Sequence, residues 1–146
     1  PITVRWPGVV PAGQRLDGPV ESIDLPCSLL EAAGVEGPVS AHLPASPGRS
    51  WWSWLLGDAE APRSWAYSEM GPWKMVCDPQ WKFVHRENGE DELYHRPSDP
   101  HEMQNRAAEP GQQQRISQMR RRLIESMSGN VAPPTESVDF RAQPGP

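Results

Sequence analysis

The chain has 146 residues, a formal net charge of −5 and 36% hydrophobic residues, which leaves room for one domain, or one and a half, around a modest core. An acidic balance whose one basic run is Arg120-Arg121-Arg122 disfavours nucleic-acid binding as a main function, and no apolar stretch approaches the roughly 20 residues of a membrane-spanning helix. Eighteen prolines and twelve glycines require many turns, yet seven tryptophans are too many for a disordered chain.

The N-terminal run Ile2-Thr3-Val4-Arg5-Trp6 alternates apolar and polar residues and predicts a strand stopped by Pro7-Gly8. Nothing before it can pair with it. The chain starts at Pro1 without an initiator Met, and we read it as having lost its beginning. A helix is expected from about Asp24. Asp24 can cap it, Pro26 suits the first turn, Leu25, Leu29, Leu30 and Ala33 form an apolar face, and Gly34 can end it. Residues 35–47 form a Pro/Ser/Ala-rich loop. Trp51-Trp52-Ser53-Trp54-Leu55-Leu56-Gly57 then reads either as a packed helical turn or as an aromatic surface able to bind a sugar.

Residues 64–69 predict a strand. Two more follow in Trp73-Lys74-Met75-Val76-Cys77 and Trp81-Lys82-Phe83-Val84-His85, joined by a turn at Asp78-Pro79-Gln80. Side-chain alternation puts Trp73, Met75 and Cys77 on one face of the first, and Trp81 and Phe83 on one face of the second, with Lys74 and Lys82 turned the other way. After an Asn88-Gly89 turn, Glu92-Leu93-Tyr94 makes a fourth strand. Asp99, Pro100 and Glu102 have the spacing of a capping box and predict a helix starting at Pro100. Ile116, Met119, Leu123 and Met127 recur at helical spacing, with Pro110 opening that helix and Gly129 closing it. The Arg triplet lies on its solvated face and C-terminal half, where positive charge suits the helix dipole. The remainder is Pro-rich, polar and without period, and is expected to be a disordered tail.

Lys82-Phe83-Val84, Glu92-Leu93-Tyr94 and Asp99-Pro100-x-Glu102-x-x-Asn105 together resemble the C-terminal signature of the sulfatase family. Pro1-Ile2-x-Val4-Arg5-Trp6-Pro7-Gly8 with Gly13 resembles the segment after that family's last active-site residues. Asp24, Leu29, Leu30, Ala33 and Gly34 match its next helix, and Gly48-x-Ser50 its next turn. Departures occur at Pro26-Cys27-Ser28, at the three tryptophans, at His95-Arg96 and at Arg106-Ala107. The resemblance implies an α+β segment with a small four-stranded antiparallel sheet packed on a C-terminal helix. A strand-loop-helix remnant of the large α/β domain precedes it. The implied divisions are 1–57 for the end of that domain, 58–128 for the C-terminal subdomain and 129–146 for the tail. The parent would hydrolyse a sulfate ester or sulfamate of a small molecule or glycan with calcium. Its missing N-terminal domain would be this segment's partner.

Sulfatase chemistry requires a nucleophile made from Cys in a Cys-x-Pro-x-Arg motif, a cation held by Asp and Asn oxygens, and His and Lys for the leaving group. Cys77-Asp78-Pro79-Gln80-Trp81 is a near-match with Trp81 in place of Arg, and it falls in the wrong part of the family's order. His85, His95, Asp99 and His101 fit no compact metal spacing and read as surface residues. No catalytic or metal-ligating residue is therefore assigned, and the substrate-binding residues stay unknown. The segment should be inert alone. A different class of function is a non-catalytic module that binds a protein or glycan through the Trp51–Trp54 surface. Two cysteines, Cys27 and Cys77, are too few for a disulfide framework and leave the compartment open.

Overall fold

The computed structural model describes residues 2–35, 43 and 46–129. Of the tail expected over 129–146, Gly129 ends the last helix and the rest lies outside them, as does most of the 35–47 loop. The elements are helix α1 (Asp24–Ala32), helix α2 (Trp52–Leu56), strands β1 (Ala66–Met70), β2 (Trp73–Cys77), β3 (Trp81–Arg86) and β4 (Glu92–His95), and helix α3 (Gln113–Gly129). The strands form one antiparallel meander in the order β1-β2-β3-β4. This is the α+β architecture that the alternation and the final helical period predict.

Tyr67 pairs with Val76, Val76 with Phe83, and Phe83 with Leu93, which sets one apolar line across the sheet. Helix α3 lays Ile116, Met119 and Leu123 on that line, and Trp65, Tyr67 and Ala107 pack around it. Val76, Phe83, Leu93 and Met119 lose all contact with water, and each such burial stabilises by about 1.5–3 kcal/mol. Trp81 joins this core, with the His95 ring 4.6 Å away.

Alternation within each strand holds, but it does not fix how the faces of β2 and β3 combine. Cys77 pairs with Lys82 across the turn, so directly opposed residues differ in parity. Trp81 and Phe83 face α3, but Trp73, Met75 and Cys77 point away from it, and Val76 alone of the β2 apolars lies under the helix. Lys74 shares the α3 side with His85, and Lys82 does not. A one-residue change of register moves a whole side-chain set to the other face, and here the turn length decides it. On the outer face the Arg86 guanidinium lies 4.3 Å over the Trp73 ring and pairs with Glu92.

Asp78 fixes that turn. Its Oδ1 accepts hydrogen bonds from the backbone N–H groups of Gln80 (2.8 Å) and Trp81 (2.7 Å). Its second oxygen pairs with Arg122 of α3, so one carboxylate ties the hairpin to the helix. Two of the three arginines that sequence placed on a solvated face are thus engaged, since Arg120 pairs with Asp91 at 2.5 Å.

Three predicted elements differ. Ile2–Trp6 is not a strand. Strand hydrogen bonds need a neighbouring strand, and none of the described strands pairs with it. No helix starts at Pro100. The chain turns, with the Glu102 N–H donating to the Asp99 carbonyl at 3.1 Å, and Glu102 takes φ +56°. Asp99 instead accepts from Met103 (3.0 Å) and Gln104 (2.8 Å), and Glu102 pairs with Lys82 at 2.5 Å. The physical reason is downstream. Asn105 Oδ1 accepts from Leu93 N–H (3.0 Å), and Arg106 N–H donates to the Leu93 carbonyl (2.8 Å). The chain must return to the edge of β4, and a helix would carry it away. Finally, Pro110 belongs to a turn closed by Gln112 N–H on the Glu109 carbonyl, so α3 starts three residues later.

Helix α1 forms where expected and ends at Gly34, which has φ +67°. Val35 N–H reaches the Leu30 carbonyl and Gly34 N–H the Glu31 carbonyl, the paired bonds of a Schellman stop. Its orientation is the surprise. The apolar positions Leu25 and Leu29 are 41% and 59% exposed, whereas Asp24, Cys27 and Ser28 are buried.

Candidate functional site

Three features were candidates for chemistry, and the structure places each. Cys77, the near-match nucleophile, ends β2 beside the Asp78 turn, and the Asp78 carboxylate is committed to that turn and to Arg122. Burial pushes the Cys77 thiol up, against the opposing pull of Arg96 and Lys82. The thiolate is the reactive form, so this position disfavours nucleophilic attack.

The histidines are dispersed. His85 Nδ1 lies 2.8 Å from Asp91, and His95 Nδ1 lies 2.7 Å from the Ser98 hydroxyl, with its ring on Trp81. His101 is exposed, and Asp99 is occupied by the loop it organises. Burial would raise the Asp91 carboxyl, but Arg120 and His85 outweigh it and hold the group below the usual carboxylate range. A guanidinium on Asp91 is a poor neighbour for a cation. Among the described residues no group of three or more His, Cys, Asp or Glu could hold a metal.

The tryptophans are mostly packed. Trp51 is buried and its backbone N–H donates to Ser28 Oγ at 3.0 Å. Trp52 stands 5.4 Å from Trp6, ring centre to ring centre, and any side chain at Gly18 would meet the Trp54 ring. An open cleft of about 1380 Å³ runs between residues 2–20 and a wall that includes Trp51, Trp54, Ala66, Cys77 and Arg96. Its ionisable side chains are Arg5, Arg15, Asp17, Cys77 and Arg96, and Arg15 is paired with Asp17. That set offers apolar and guanidinium surface and lacks a base positioned to activate a nucleophile.

Sequence reasoning missed the most connected polar cluster. Asp24 does not cap α1. Its Oδ2 accepts from the Glu21 N–H (2.8 Å), and its Oδ1 accepts from the Arg49 N–H (2.8 Å) and pairs with Arg63. Arg63 also reaches Glu21 at 2.7 Å. The available signal was the inward spacing of Asp24, Cys27 and Ser28 at i, i+3 and i+4, which the leucines masked. Gly48 permits the approach. A Cβ there would lie 2.2 Å from the Ile23 carbonyl and 2.7 Å from Cys27 Sγ.

The described fold is thus a meander covered by one helix, with the Asn105 loop on its β4 edge and a preceding arm with little secondary structure. The family model for N-sulphoglucosamine sulphohydrolase, C-terminal, matches residues 1–129, and the chain belongs to that family of sulfatase C-terminal domains. Among solved structures it is similar to a phosphonate monoester hydrolase from Silicibacter pomeroyi, with TM-score 0.71 and 22% identity over 88% of this chain and 28% of that one. It is also similar to a 2-O GAG sulfatase, with TM-score 0.60 and 24% identity over 83% of this chain and 26% of that one. A third relative was solved in complex with its substrate D-glucosamine-2-N,6-O-disulfate, with TM-score 0.59 and 21% identity over 73% of this chain and 24% of that one. These structural likenesses are of fold. The chain spans about a quarter of the length of these proteins. No curated protein matches the sequence.

Proposed function

We propose that this chain serves as the C-terminal segment of a sulfatase that hydrolyses a sulfate ester or sulfamate of a small molecule or glycan. It completes the enzyme's body and does not supply its nucleophile. In this reading residues 1–57 end the large α/β domain, 58–128 are the C-terminal subdomain, and the partner is the N-terminal sulfatase domain. The parent's metal, which we take to be calcium, would be held by that domain, because here Asp24, Asp78, Asp91 and Asp99 are engaged with arginines or backbone N–H groups and His95 with a serine.

The observation that carries the proposal is the inverted burial of the first third. Ile2, Val4, Trp6, Val9, Leu25 and Leu29 are exposed, while α1 turns its polar side inward. Exposed apolar surface of this kind marks interfaces, and in our reading these residues belong to the segment that ends the large domain. Complementation tests it. The chain alone, a sulfatase N-terminal domain alone, and the two together are assayed on an aryl sulfate with calcium. Turnover is expected only from the mixture, and Leu25→Glu with Leu29→Glu should abolish it while leaving the chain folded. Turnover by the chain alone, lost in Cys77→Ala, would overturn the proposal, as would a mixture indifferent to the leucine substitutions.

A further inference from the structure

The cluster of Glu21, Asp24, Arg49 and Arg63 is not required by any chemistry considered above, yet it is the most buried ionic group described. The Arg63, Glu21 and Asp24 side chains are 11%, 9% and 0% exposed. Its members come from four places in the chain: the turn before α1, the first residue of α1, the strap at 48–51 and the lead-in to β1. Glu21 Oε1 accepts from Arg63 and also from the Tyr67 N–H of β1 at 2.8 Å. Arg49 donates its backbone N–H to Asp24 and its Nη1 to the Pro62 carbonyl at 3.0 Å. Every one of these contacts joins α1, the strap or the 58–65 connection, and the Glu21–Tyr67 bond carries the link into the sheet.

We infer that Arg63 is a joint: it fixes the orientation of the sheet-and-α3 unit on the α1 segment, and within a sulfatase it would position that unit on the large domain. This functional consequence rests on the proposed sulfatase reading; the joint itself does not. One guanidinium shared between two buried carboxylates sets direction as well as distance, because its planar fork has fixed hydrogen-bond vectors. It also gives an all-or-none contact, since either carboxylate left buried without its partner is strongly destabilising.

The test uses the whole chain and reads no sulfatase activity, so its outcome is separable from that of complementation. Amide hydrogen exchange is measured for Arg63→Met, for Glu21→Gln and for the pair combined. In Arg63→Met the amides of Arg49 and Tyr67 and those within α1 should exchange roughly a hundredfold faster, the scale set by an orphaned buried charge. Those of Val76, Phe83 and Leu93 should keep their wild-type rates. Glu21→Gln retains an acceptor for Arg63 and for Tyr67 and should have a smaller effect. Combined with Arg63→Met it should restore part of the protection, because one fewer carboxylate is stranded; that rescue also serves if Arg63→Met alone fails to fold. Unchanged exchange in α1 would overturn the inference. So would equal loosening of α1 and the sheet, which would mean one cooperative core without a joint, and so would a combined variant with no rescue.

Discussion

Asn105→Ala should unzip the outer edge of the sheet, and its cost can be worked from three bonds. Asn105 Oδ1 accepts from the Leu93 N–H (3.0 Å) and from the Ala107 N–H (3.0 Å), while Nδ2 donates to the Asp91 carbonyl (3.2 Å). Leu93 is fully buried, so an orphaned N–H there should cost about 1–3 kcal/mol, and the two more exposed bonds about 0.5 kcal/mol each. The sum is about 2–4 kcal/mol. Urea unfolding followed by tryptophan fluorescence should show a lower midpoint at unchanged slope, because the surface exposed on unfolding is the same. Asn105→Asp keeps the acceptor, loses the donor and turns a negative oxygen toward the Asp91 carbonyl, so it should fall between wild type and Ala. An Asn105→Ala protein within about 0.5 kcal/mol of wild type, the range of ordinary surface changes, would refute the claim that this residue seals the edge.

Other consequences are open to simple measurement. Gly48→Ala forces a methyl against the Ile23 carbonyl and Cys27 Sγ, and backbone cannot yield cheaply there; a loss of about 1–3 kcal/mol in the same urea assay is expected, and an unchanged midpoint would show that the strap moves freely. Asp91, held below the usual carboxylate range by Arg120 and His85 against burial, has a depressed folded-state pKa. Its contribution is therefore present above the unfolded value of about 3.9 and is lost as pH falls through the lower folded value. The stability gap between wild type and Asp91→Asn should be constant near neutrality and close in acid; a gap that widens on acidification would contradict the assigned partners. Cys77, its thiol raised by burial, should be alkylated by iodoacetamide at mildly alkaline pH more slowly than a free thiol, read by mass spectrometry, and faster labelling would contradict that environment.

Much of the sheet was legible because its signals are local. Alternation from Trp73 to Cys77 and from Trp81 to His85, together with the Asn88-Gly89 turn, defines strands, and the 116-119-123 spacing defines the helix that covers them. What alternation cannot give is relative parity across a turn. Whether Trp73 shares a side with Phe83 depends on how many residues the Asp78 turn consumes. Asp99 shows a second limit. A carboxylate before Pro is equally able to cap a helix or to gather the N–H groups of a loop, and the choice is made by what Asn105 and Arg106 must reach. The Asp24–Arg63 contact shows a third. It joins residues 39 apart with no period between them, while Leu25 and Leu29 announce an apolar face whose partner is not among the described residues. The near-match at Cys77 is set aside on Trp81 in place of Arg and on its position in the order, and the Asp that follows it is a turn-former bound to α3.

The edges of the meander have a consequence for how the chain behaves in a crowd. A bare flank accepts another strand and lets sheets grow copy upon copy. On β4, an irregular stretch takes both the N–H and the C=O of Leu93 through Asn105 and Arg106, and irregular backbone does not template a fifth strand. On β1, the Glu21 carboxylate takes the Tyr67 N–H. Residues that look like connective filler thus act as stoppers against fibrillar growth. A substitution at either could leave every core contact intact and still convert the protein into a seed for its own aggregation.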